Sequence, residues 1–407
     1  MRARALRGAA VLAILAVTAT GCAQQTPGDN NTDTTTPGVP EDFGPVTYTV
    51  SINEPEGRLN DYAREYFGAV TERSGGKINF EYFYAGSLLP ANEVLTGVGD
   101  GVADIGQITG ATFPNELPIV KWVQPLSGTG VVAWPLGSLA EAATAYHLYR
   151  TDERLIAEFE ANNVVPLYGN ATPKADMICN KPAESITDLA GLNVRVASPA
   201  QEAEVAALGM VGVYLGTAET YEGLQRGVVD CAWVGGGSTA AFAALGWLEV
   251  APYFIPANGR STWPINFVMN KDIWDGLPGG VKALFTELAP QAITTQWRIF
   301  TENRSDFVDA LKATPNGTFQ DATEMNEVLT EFQTEDLETM LDNAPSAISD
   351  PQKFIDDYLA LLDAWTEKLS AELNLPKEGG MDEAGFKAAP GLVDWDRFAE
   401  LLVEGLD

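Results

Sequence analysis

The sequence predicts an α/β fold made of two similar halves and followed by a mainly helical part. From residue 46 onward, β-rich segments alternate with segments of helical periodicity, which is typical of α/β proteins. A second alternating series begins near residue 177. Beyond residue 281 the apolar residues recur at helical spacing, and Gly and Pro clusters separate several of the segments.

The first half is predicted from the period of its apolar residues. Residues 60–73 carry large apolar side chains on one helical stripe and end in Ser-Gly-Gly, so we expect Tyr62, Tyr66 and Phe67 to lie in the core. The predicted strands are residues 46–50, 77–83, 102–108 and 164–169, and the predicted helices are residues 60–73, 92–99 and 140–161.

The second half repeats this alternation, and the remainder is helical. The predicted strands are residues 177–179, 192–196 and 228–234, with helices between them. The apolar stripes of the C-terminal part predict helices at residues 281–288, 328–341, 354–373 and 398–406.

Length and composition exclude several classes of function. The 407 residues suggest about two domains, and 45% apolar residues are enough for folded cores. With 25 basic and 56 acidic residues the net charge is −31, which argues against nucleic acid and against docking on an anionic membrane through a basic patch. One histidine, His147, and three cysteines leave no metal site to propose, and no P-loop or dinucleotide fingerprint indicates a cofactor. We therefore expect no enzyme, no metal and no cofactor.

The N-terminus resembles a bacterial export signal. Three arginines precede an apolar run at residues 9–19, which is too short to span a bilayer. Ala19-Thr20-Gly21-Cys22 resembles a lipobox, which implies that residues 1–21 are removed and that Cys22 carries a lipid. The alternative is an ordinary cleaved signal with an incidental cysteine. Residues 22–45 are polar and proline-rich and predict a disordered tether, which would hold the body outside the cytoplasm, at the outer face of the membrane.

Two cysteines remain in the body of the chain. Cys179 and Cys231 would lie in an oxidising compartment, so they either form a disulfide or stay as two buried thiols. The sequence leaves both alternatives open.

Paired motifs in both halves carry a family resemblance. Residues 188–196 read D-L-A-G-L-N-V-R-V, and residues 219–230 read E-T-Y-E-G-L-Q-R-G-V-V-D. In the first half, residues 83–88 read F-Y-A-G-S-L and residues 101–107 read G-V-A-D-I-G-Q. Together these segments resemble the solute-binding proteins of TRAP transporters, the tripartite ATP-independent periplasmic carriers of organic acids.

The resemblance implies a two-lobed fold like that of periplasmic binding proteins, with the ligand in a cleft between the lobes. Lobe I would comprise residues 46–172 and about 261–300, and lobe II residues 173–260 and about 301–407. The lobes would close over a small organic acid, and membrane subunits would read the closed form. A binding protein for an ATP-driven (ABC-type) permease, or a ligand sensor, is the alternative.

Arg195 is the main candidate binding residue. Leu192, Val194 and Val196 fall on one face of a strand by alternation, which leaves Arg195 on the other face within an apolar run. A cation there is costly unless a partner neutralises it. A guanidinium matches a carboxylate, so the partner is either a ligand or an internal acid. The resemblance implies the ligand, because this arginine clamps the substrate carboxylate in the family.

The chain departs from the family pattern at two positions. Ala175 stands where many members carry a second arginine, and neighbouring Lys174 could replace it or be a solvated lysine. Trp233 and a glycine-rich turn stand where many members have a ligand-binding asparagine. An indole packs on apolar or cationic groups, so we expect a ligand with one carboxylate and an apolar or cationic remainder.

Further candidates rest on position alone. Gln107 and Thr109 end a strand, where ligands of α/β sheets bind. Residues 262–270 resemble the family's strand returning to the first lobe, so Trp263 and Asn266 either line the site or are a core tryptophan and a turn asparagine. Asp104 and Asp230 are expected to be structural hydrogen-bond acceptors.

Overall fold

A computed structural model describes residues 38–262 and 264–406 of the chain. The predicted signal, Cys22 and the tether up to residue 37 lie outside the described residues. Residues 38–45, the end of the predicted tether, contact the body: Lys77 Nζ donates to the carbonyl oxygens of Pro40 and Glu41 at 2.7 and 3.0 Å.

The strands and helices alternate through the first two thirds of the chain. The strands are β1 Val46–Ser51, β2 Ile78–Phe83, β3 Ile105–Thr109, β4 Val164–Gly169, β5 Ala175–Cys179, β6 Asn193–Val196, β7 Val211–Tyr214, β8 Cys231–Val234, β9 Tyr253–Gly259, β10 Pro264–Asn270 and β11 Thr318–Phe319. Short 3₁₀ turns lie at Arg58–Asn60, Gly110–Thr112, Gln124–Gly128 and Gly236–Ser238.

Helices cover the sheets and form nearly all of the last third. They are α1 Asp61–Arg73, α2 Val94–Gly99, α3 Pro118–Val123, α4 Leu136–Thr151, α5 Glu153–Glu160, α6 Ile186–Leu189, α7 Pro199–Ala207, α8 Thr217–Arg226, α9 Thr239–Ala244, α10 Trp247–Val250, α11 Lys271–Gly276, α12 Gly279–Ala313, α13 Thr323–Asp342, α14 Pro351–Glu372, α15 Glu383–Leu392 and α16 Trp395–Glu404.

The strands form two sheets, as the α/β prediction requires. The first has five strands in the order β2-β1-β3-β10-β4, and β10 runs antiparallel to both neighbours. The second has six strands in the order β11-β9-β5-β8-β6-β7, in which β5 runs antiparallel to β8 and β9. The strand predicted near residues 262–270 therefore returns to the first sheet.

Three segments cross between the sheets. The chain leaves the first sheet after β4, returns to it after β9, and leaves it again through α11 and α12 to reach β11. The first two of these segments lie side by side. They bond to each other, since Thr172 N donates to the Thr262 carbonyl at 2.9 Å and Thr262 N donates to Thr172 Oγ1 at 3.0 Å. Asn170 Nδ2 also donates to Gln296 Oε1 of α12 at 2.7 Å. The junction of the sheets is thus a small hydrogen-bonded unit.

Two helix predictions were wrong in their extent. Residues 140–161 form two helices because Asp152 has an extended backbone and its side chain accepts from the backbone N–H groups of Arg154 and Leu155, which caps α5. The segment predicted as residues 281–288 continues to Ala313 and carries Pro290 inside it. Proline removes one helical hydrogen bond, but apolar side chains on both sides of it are buried, so packing holds α12 together.

The C-terminal helices pack on both parts of the molecule. Helix α14 lies on α4, and α15 and α16 lie on α12, while α13 lies beside β9 and α7. The predicted helices near residues 328–341, 354–373 and 398–406 are confirmed as α13, α14 and α16, with shifted ends. In residues 38–262 and 264–406, no helix is both long and apolar enough to cross a membrane.

Candidate functional site

A cleft of about 240 Å³ lies between the two sheets. Its walls come from segments that follow the carboxyl ends of strands in both sheets and from α1 and α12. The lining residues are Glu54, Tyr62, Gln107, Thr109, Thr172, Gly235, Gly237, Ser238, Thr262, Gln296 and Phe300. Ligands of α/β proteins bind at such strand ends, and this volume suits a small molecule.

Gln107 and Thr109 line the cleft from the end of β3. Gln107 Nε2 donates to the Tyr62 hydroxyl at 2.9 Å, and Gln107 Oε1 accepts from Asn53 N at 3.1 Å. Tyr62, Tyr66 and Phe67 are buried as predicted, although Tyr62 also reaches the cleft wall. The amide of Gln107 is thus held at a fixed position.

Arg195 lies behind the turn that lines the opposite wall. Arg195 is only 7% exposed. On β6 its side chain points away from Val194 and Val196, which pack in the smaller of two hydrophobic clusters. Nε donates to the Leu215 carbonyl at 3.0 Å, and Nη1 donates to the Trp233 carbonyl at 3.3 Å. Gly235, two residues after Trp233, lines the cleft.

The guanidinium of Arg195 has no carboxylate partner among residues 38–262 and 264–406. Its hydrogen bonds go only to the two neutral carbonyl oxygens, and burial lowers its pKa. The internal ion pair that the sequence left open as an alternative is not formed with any described residue. A buried cation with only neutral acceptors is costly, and an anionic ligand would relieve that cost.

Lys174 takes neither of the roles considered from the sequence. It is 4% exposed, its Nζ donates to the Ser127 carbonyl at 2.7 Å, and Glu141 Oε2 lies 3.7 Å away. Burial lowers the pKa of Lys174, and the charge of Glu141 opposes this effect. Lys174 is therefore not solvated, and it does not line the cleft. Its ammonium group is paired with the internal carboxylate of Glu141.

A protein-family comparison identifies the chain's relatives. The model of the bacterial extracellular solute-binding proteins, family 7 (DctP), matches residues 53–339. The chain belongs to this family. Its members are extracytoplasmic solute receptors of TRAP transporters, so the resemblance carried by the paired motifs is confirmed.

A curated protein and several solved structures are also similar to the chain. The chain is 25% identical over 231 residues to a monocarboxylate 2-oxoacid-binding periplasmic protein of Nostoc, matching 56% of this chain and 60% of that relative's length. A TRAP periplasmic solute-binding protein of Desulfovibrio salexigens superposes with a TM-score of 0.66 at 23% identity, covering 78% of this chain and 95% of the other. A Bordetella pertussis solute receptor that binds pyroglutamic acid superposes with a TM-score of 0.62 at 20% identity, covering 79% and 99%. The two-lobed fold predicted from the sequence is confirmed.

The indole of Trp233 does not reach the cleft of this solute-binding protein. Trp233 is fully buried, and its ring lies so close to Gly259 that a Cβ there would be 2.3 Å from an indole carbon. It shares the smaller cluster with Cys179 and Cys231, which are joined by a disulfide. Of the two alternatives for these cysteines, the structure has the bond. The backbone carbonyl of Trp233, and not its ring, contacts Arg195.

Of the remaining predicted residues, two have described side chains and two do not. Asp104 accepts from Thr49 N and Oγ1 at 2.7 and 2.9 Å, and Asp230 accepts from Asn193 N at 3.0 Å, so both are structural acceptors as predicted. Trp263 and the side chain of Asn266 lie outside the described residues.

A second buried guanidinium supports the same turn. Arg304 of α12 donates to the Gly236 carbonyl at 3.2 Å and pairs with Asp176 at 2.6 Å, and both side chains are fully buried. Burial raises the pKa of Asp176, and the nearby charge of Arg304 opposes that rise. Unlike Arg195, Arg304 carries its own counter-ion, so it positions the turn without offering a free charge.

The sequence reasoning missed several residues of the cleft wall. Glu54 follows β1 by three residues, so the strand-end rule that identified Gln107 could have found it. Gln296 and Phe300 lie midway along α12, where no local signal distinguishes them from core positions. Residues 38–262 and 264–406 hold no group of three or more His, Cys, Asp or Glu side chains arranged for a metal ion.

A larger groove of about 670 Å³ lies between α13 and Val132. Its lining includes the carboxylates of Glu327, Glu331 and Glu335. These charges repel an organic anion, whereas the interlobe cleft lies next to an unneutralised guanidinium. The cleft is therefore the better candidate for the solute site.

Proposed function

We propose that this protein captures a small organic acid in the interlobe cleft and delivers it to the membrane subunits of a TRAP transporter. Membership of the solute-binding family supports the role of receptor. The names of two relatives, a receptor for monocarboxylate 2-oxoacids and one for pyroglutamic acid, support a carboxylate as the ligand.

The observation that carries the proposal is the unneutralised guanidinium of Arg195. Its Nη2 makes no hydrogen bond to residues 38–262 and 264–406, while Nε and Nη1 are held by carbonyl oxygens. The side chain is therefore oriented before a ligand arrives, and one donor edge stays available. A carboxylate that accepts from this edge neutralises a charge that burial otherwise penalises.

The connections between the sheets support capture by closure. Two paired crossing segments and helix α12 link the sheets, and both contribute lining residues. Bending at Thr172 and Thr262 would bring the turn in front of Arg195 towards Gln107. Water would leave the cleft, and the attraction between guanidinium and carboxylate would strengthen in the lower dielectric.

We further propose that Cys22 carries a lipid that anchors the receptor to the outer face of the cell membrane. The lipobox-like sequence and the polar residues that follow it support this role. Mass spectrometry of the membrane fraction should find a diacylglyceryl mass on Cys22, and Cys22→Ala should release the protein. An unmodified, water-soluble mature chain would contradict the anchor.

A thermal-shift screen of organic acids tests the capture of a carboxylate. A ligand at one hundred times its Kd adds about 2.7 kcal/mol of stability. Arg195→Ala should abolish the shift for the best acid and leave the unliganded protein folded. Arg226→Ala is the matched control, because Arg226 is a solvent-facing arginine on α8 whose side chain is 70% exposed. Equal shifts in wild type and Arg195→Ala would contradict the proposal.

A further inference from the structure

The carboxyl end of β1 presents two hydrogen-bond acceptors without donors. Glu54 Oε2 and Asn53 Oδ1 are both buried, and neither has a hydrogen-bond partner among residues 38–262 and 264–406. Glu54 lines the cleft. A buried acceptor without a donor destabilises the protein, so an unpaired carboxylate oxygen at a cavity wall calls for an explanation.

Neighbouring donors do not meet this need. Gln107 Nε2 is engaged by the Tyr62 hydroxyl, and Asn53 Nδ2 donates to the Gln107 carbonyl at 2.9 Å. The lysines and arginines close to the cleft are also committed, since Lys174 contacts Glu141 and Arg304 pairs with Asp176. Glu54 is the only acidic side chain that lines the cleft in the described part of the chain. The amide of Gln107 lies near the Glu54 carboxylate, but among the described residues Glu54 Oε2 stays without a donor, which a ligand could supply.

We propose that Glu54 is a second recognition residue, which accepts an N–H donor of the ligand while Arg195 holds the carboxylate. This inference rests on the proposed function and narrows the ligand to carboxylic acids that also carry an amine, imine or lactam nitrogen. The two groups belong to different sheets: Glu54 follows β1 of the first sheet and lines the cleft, and Arg195 lies on β6 of the second sheet, where it contacts the Trp233 carbonyl two residues before the lining residue Gly235. A ligand of this class would bridge the two sheets through both of its polar groups.

The charge state of Glu54 gives the inference a pH dependence. Burial raises the pKa of Glu54, and a hydrogen bond from Gln107 opposes the rise. A protonated carboxyl cannot pair with an ammonium group. Binding of an ammonium therefore requires the deprotonated form, and affinity should fall as the pH is lowered towards the raised pKa of Glu54.

The test is a calorimetric titration of paired probes into the full chain. Leucine is compared with its oxo acid, and proline with cyclopentanecarboxylate, which keeps the ring and the carboxylate but lacks the nitrogen. Wild type should bind the nitrogen-bearing member of a pair more tightly. Glu54→Gln should weaken that member roughly tenfold or more and its nitrogen-free partner much less, since a charged hydrogen bond is lost only from the former. The matched control is Glu56→Gln, two residues away and exposed, which should change neither.

The outcomes separate this inference from the proposed function. Two results would overturn the role of Glu54 and leave carboxylate capture intact. One is that wild type binds the nitrogen-free member of each pair more tightly. The other is that Glu54→Gln leaves the ratio of the two affinities within a pair unchanged. Absence of binding for every probe at any pH would contradict both. Weaker binding of the amine at low pH in wild type but not in Glu54→Gln would support the inference independently of the absolute affinities.

Discussion

Two buried cations near the junction of the sheets differ in what neutralises them. Lys174 has Glu141 at 3.7 Å, whereas Arg195 has only carbonyl oxygens among the described residues. Both residues are almost fully buried, so they differ in their surroundings and not in their exposure. In the proposed function, a ligand carboxylate is the missing partner of Arg195.

Breaking the Lys174–Glu141 pair should destabilise the protein strongly. Lys174→Met removes one partner of a buried ion pair and leaves the other charge uncompensated, which costs about 3–5 kcal/mol. Urea unfolding measures the change. Lys181→Met is the control, because its pair with Asp230 is partly exposed and should be worth less than about 1 kcal/mol. Equal effects of the two substitutions would show that Lys174 is not held as described.

The sequence predicted correctly which face of β6 carries Arg195, and it misjudged the direction of the Trp233 indole. Alternation along β6 placed Arg195 opposite Val194 and Val196, and the structure agrees. Alternation cannot orient Trp233, because every residue of β8 is buried and both faces of the strand are packed. Lys174 was misjudged because its partner, Glu141, lies 33 positions earlier in the chain, and no local pattern reveals such a contact.

Helices and strands could be predicted from the sequence where periodicity or a terminating residue determines them. Periodicity and the Ser-Gly-Gly end identified α1, while α12 exceeded its predicted length because long-range packing outweighs the local effect of Pro290. Strand β9 and helix α15 had no prediction, and both are held by distant partners: β9 pairs with β5, and α15 packs on α12. Short elements of this kind depend on tertiary contacts that a single sequence does not display.

The disulfide should contribute substantially to the stability of the second sheet. It links neighbouring strands β5 and β8 and closes a loop with a sequence separation of 52, for which chain entropy gives about 4 kcal/mol. Cys179→Ala/Cys231→Ala should lower the free energy of unfolding by about that amount. Reductant should destabilise wild type but not the double variant. Wild type that is insensitive to reductant would contradict the bond's contribution.

The C-terminal helices should be integral to the fold. Phe386 of α15 is fully buried, and its ring lies 4.5 Å from the Arg304 guanidinium on α12. Phe386→Ala should cost about 3–5 kcal/mol in a chemical unfolding experiment. Leu392→Ala on the same helix is the control, since Leu392 is 47% exposed and should change stability by less than about 0.5 kcal/mol. A small effect at Phe386 would mean that α15 is only loosely attached.

Over the whole molecule, two sheets share one cleft within a strongly acidic chain. The net charge is −31, so the protein repels an anionic solute at long range, while Arg195 in its proposed role would attract it at short range. Salt screens the long-range repulsion: the screening length falls from about 30 Å at 0.01 M to about 8 Å at 0.15 M salt. Salt weakens a buried contact between guanidinium and carboxylate much less. Capture and repulsion therefore respond differently to ionic strength.

The association rate of a carboxylate should rise as salt is added at low ionic strength. Stopped-flow fluorescence with the best acid from the screen measures association and dissociation separately. We expect the association rate to increase between about 0.01 M and 0.15 M salt and the dissociation rate to change little. An association rate that falls with salt would indicate an attractive field at the cleft mouth and contradict this account.

The most direct test of the central claim is a crystal structure of the protein with its best-binding organic acid. The ligand carboxylate should lie in the interlobe cleft, with an oxygen about 2.7–2.9 Å from a guanidinium nitrogen of Arg195. A bound acid whose carboxylate lies elsewhere, with Arg195 still bonded only to the carbonyl oxygens of Leu215 and Trp233, would contradict it.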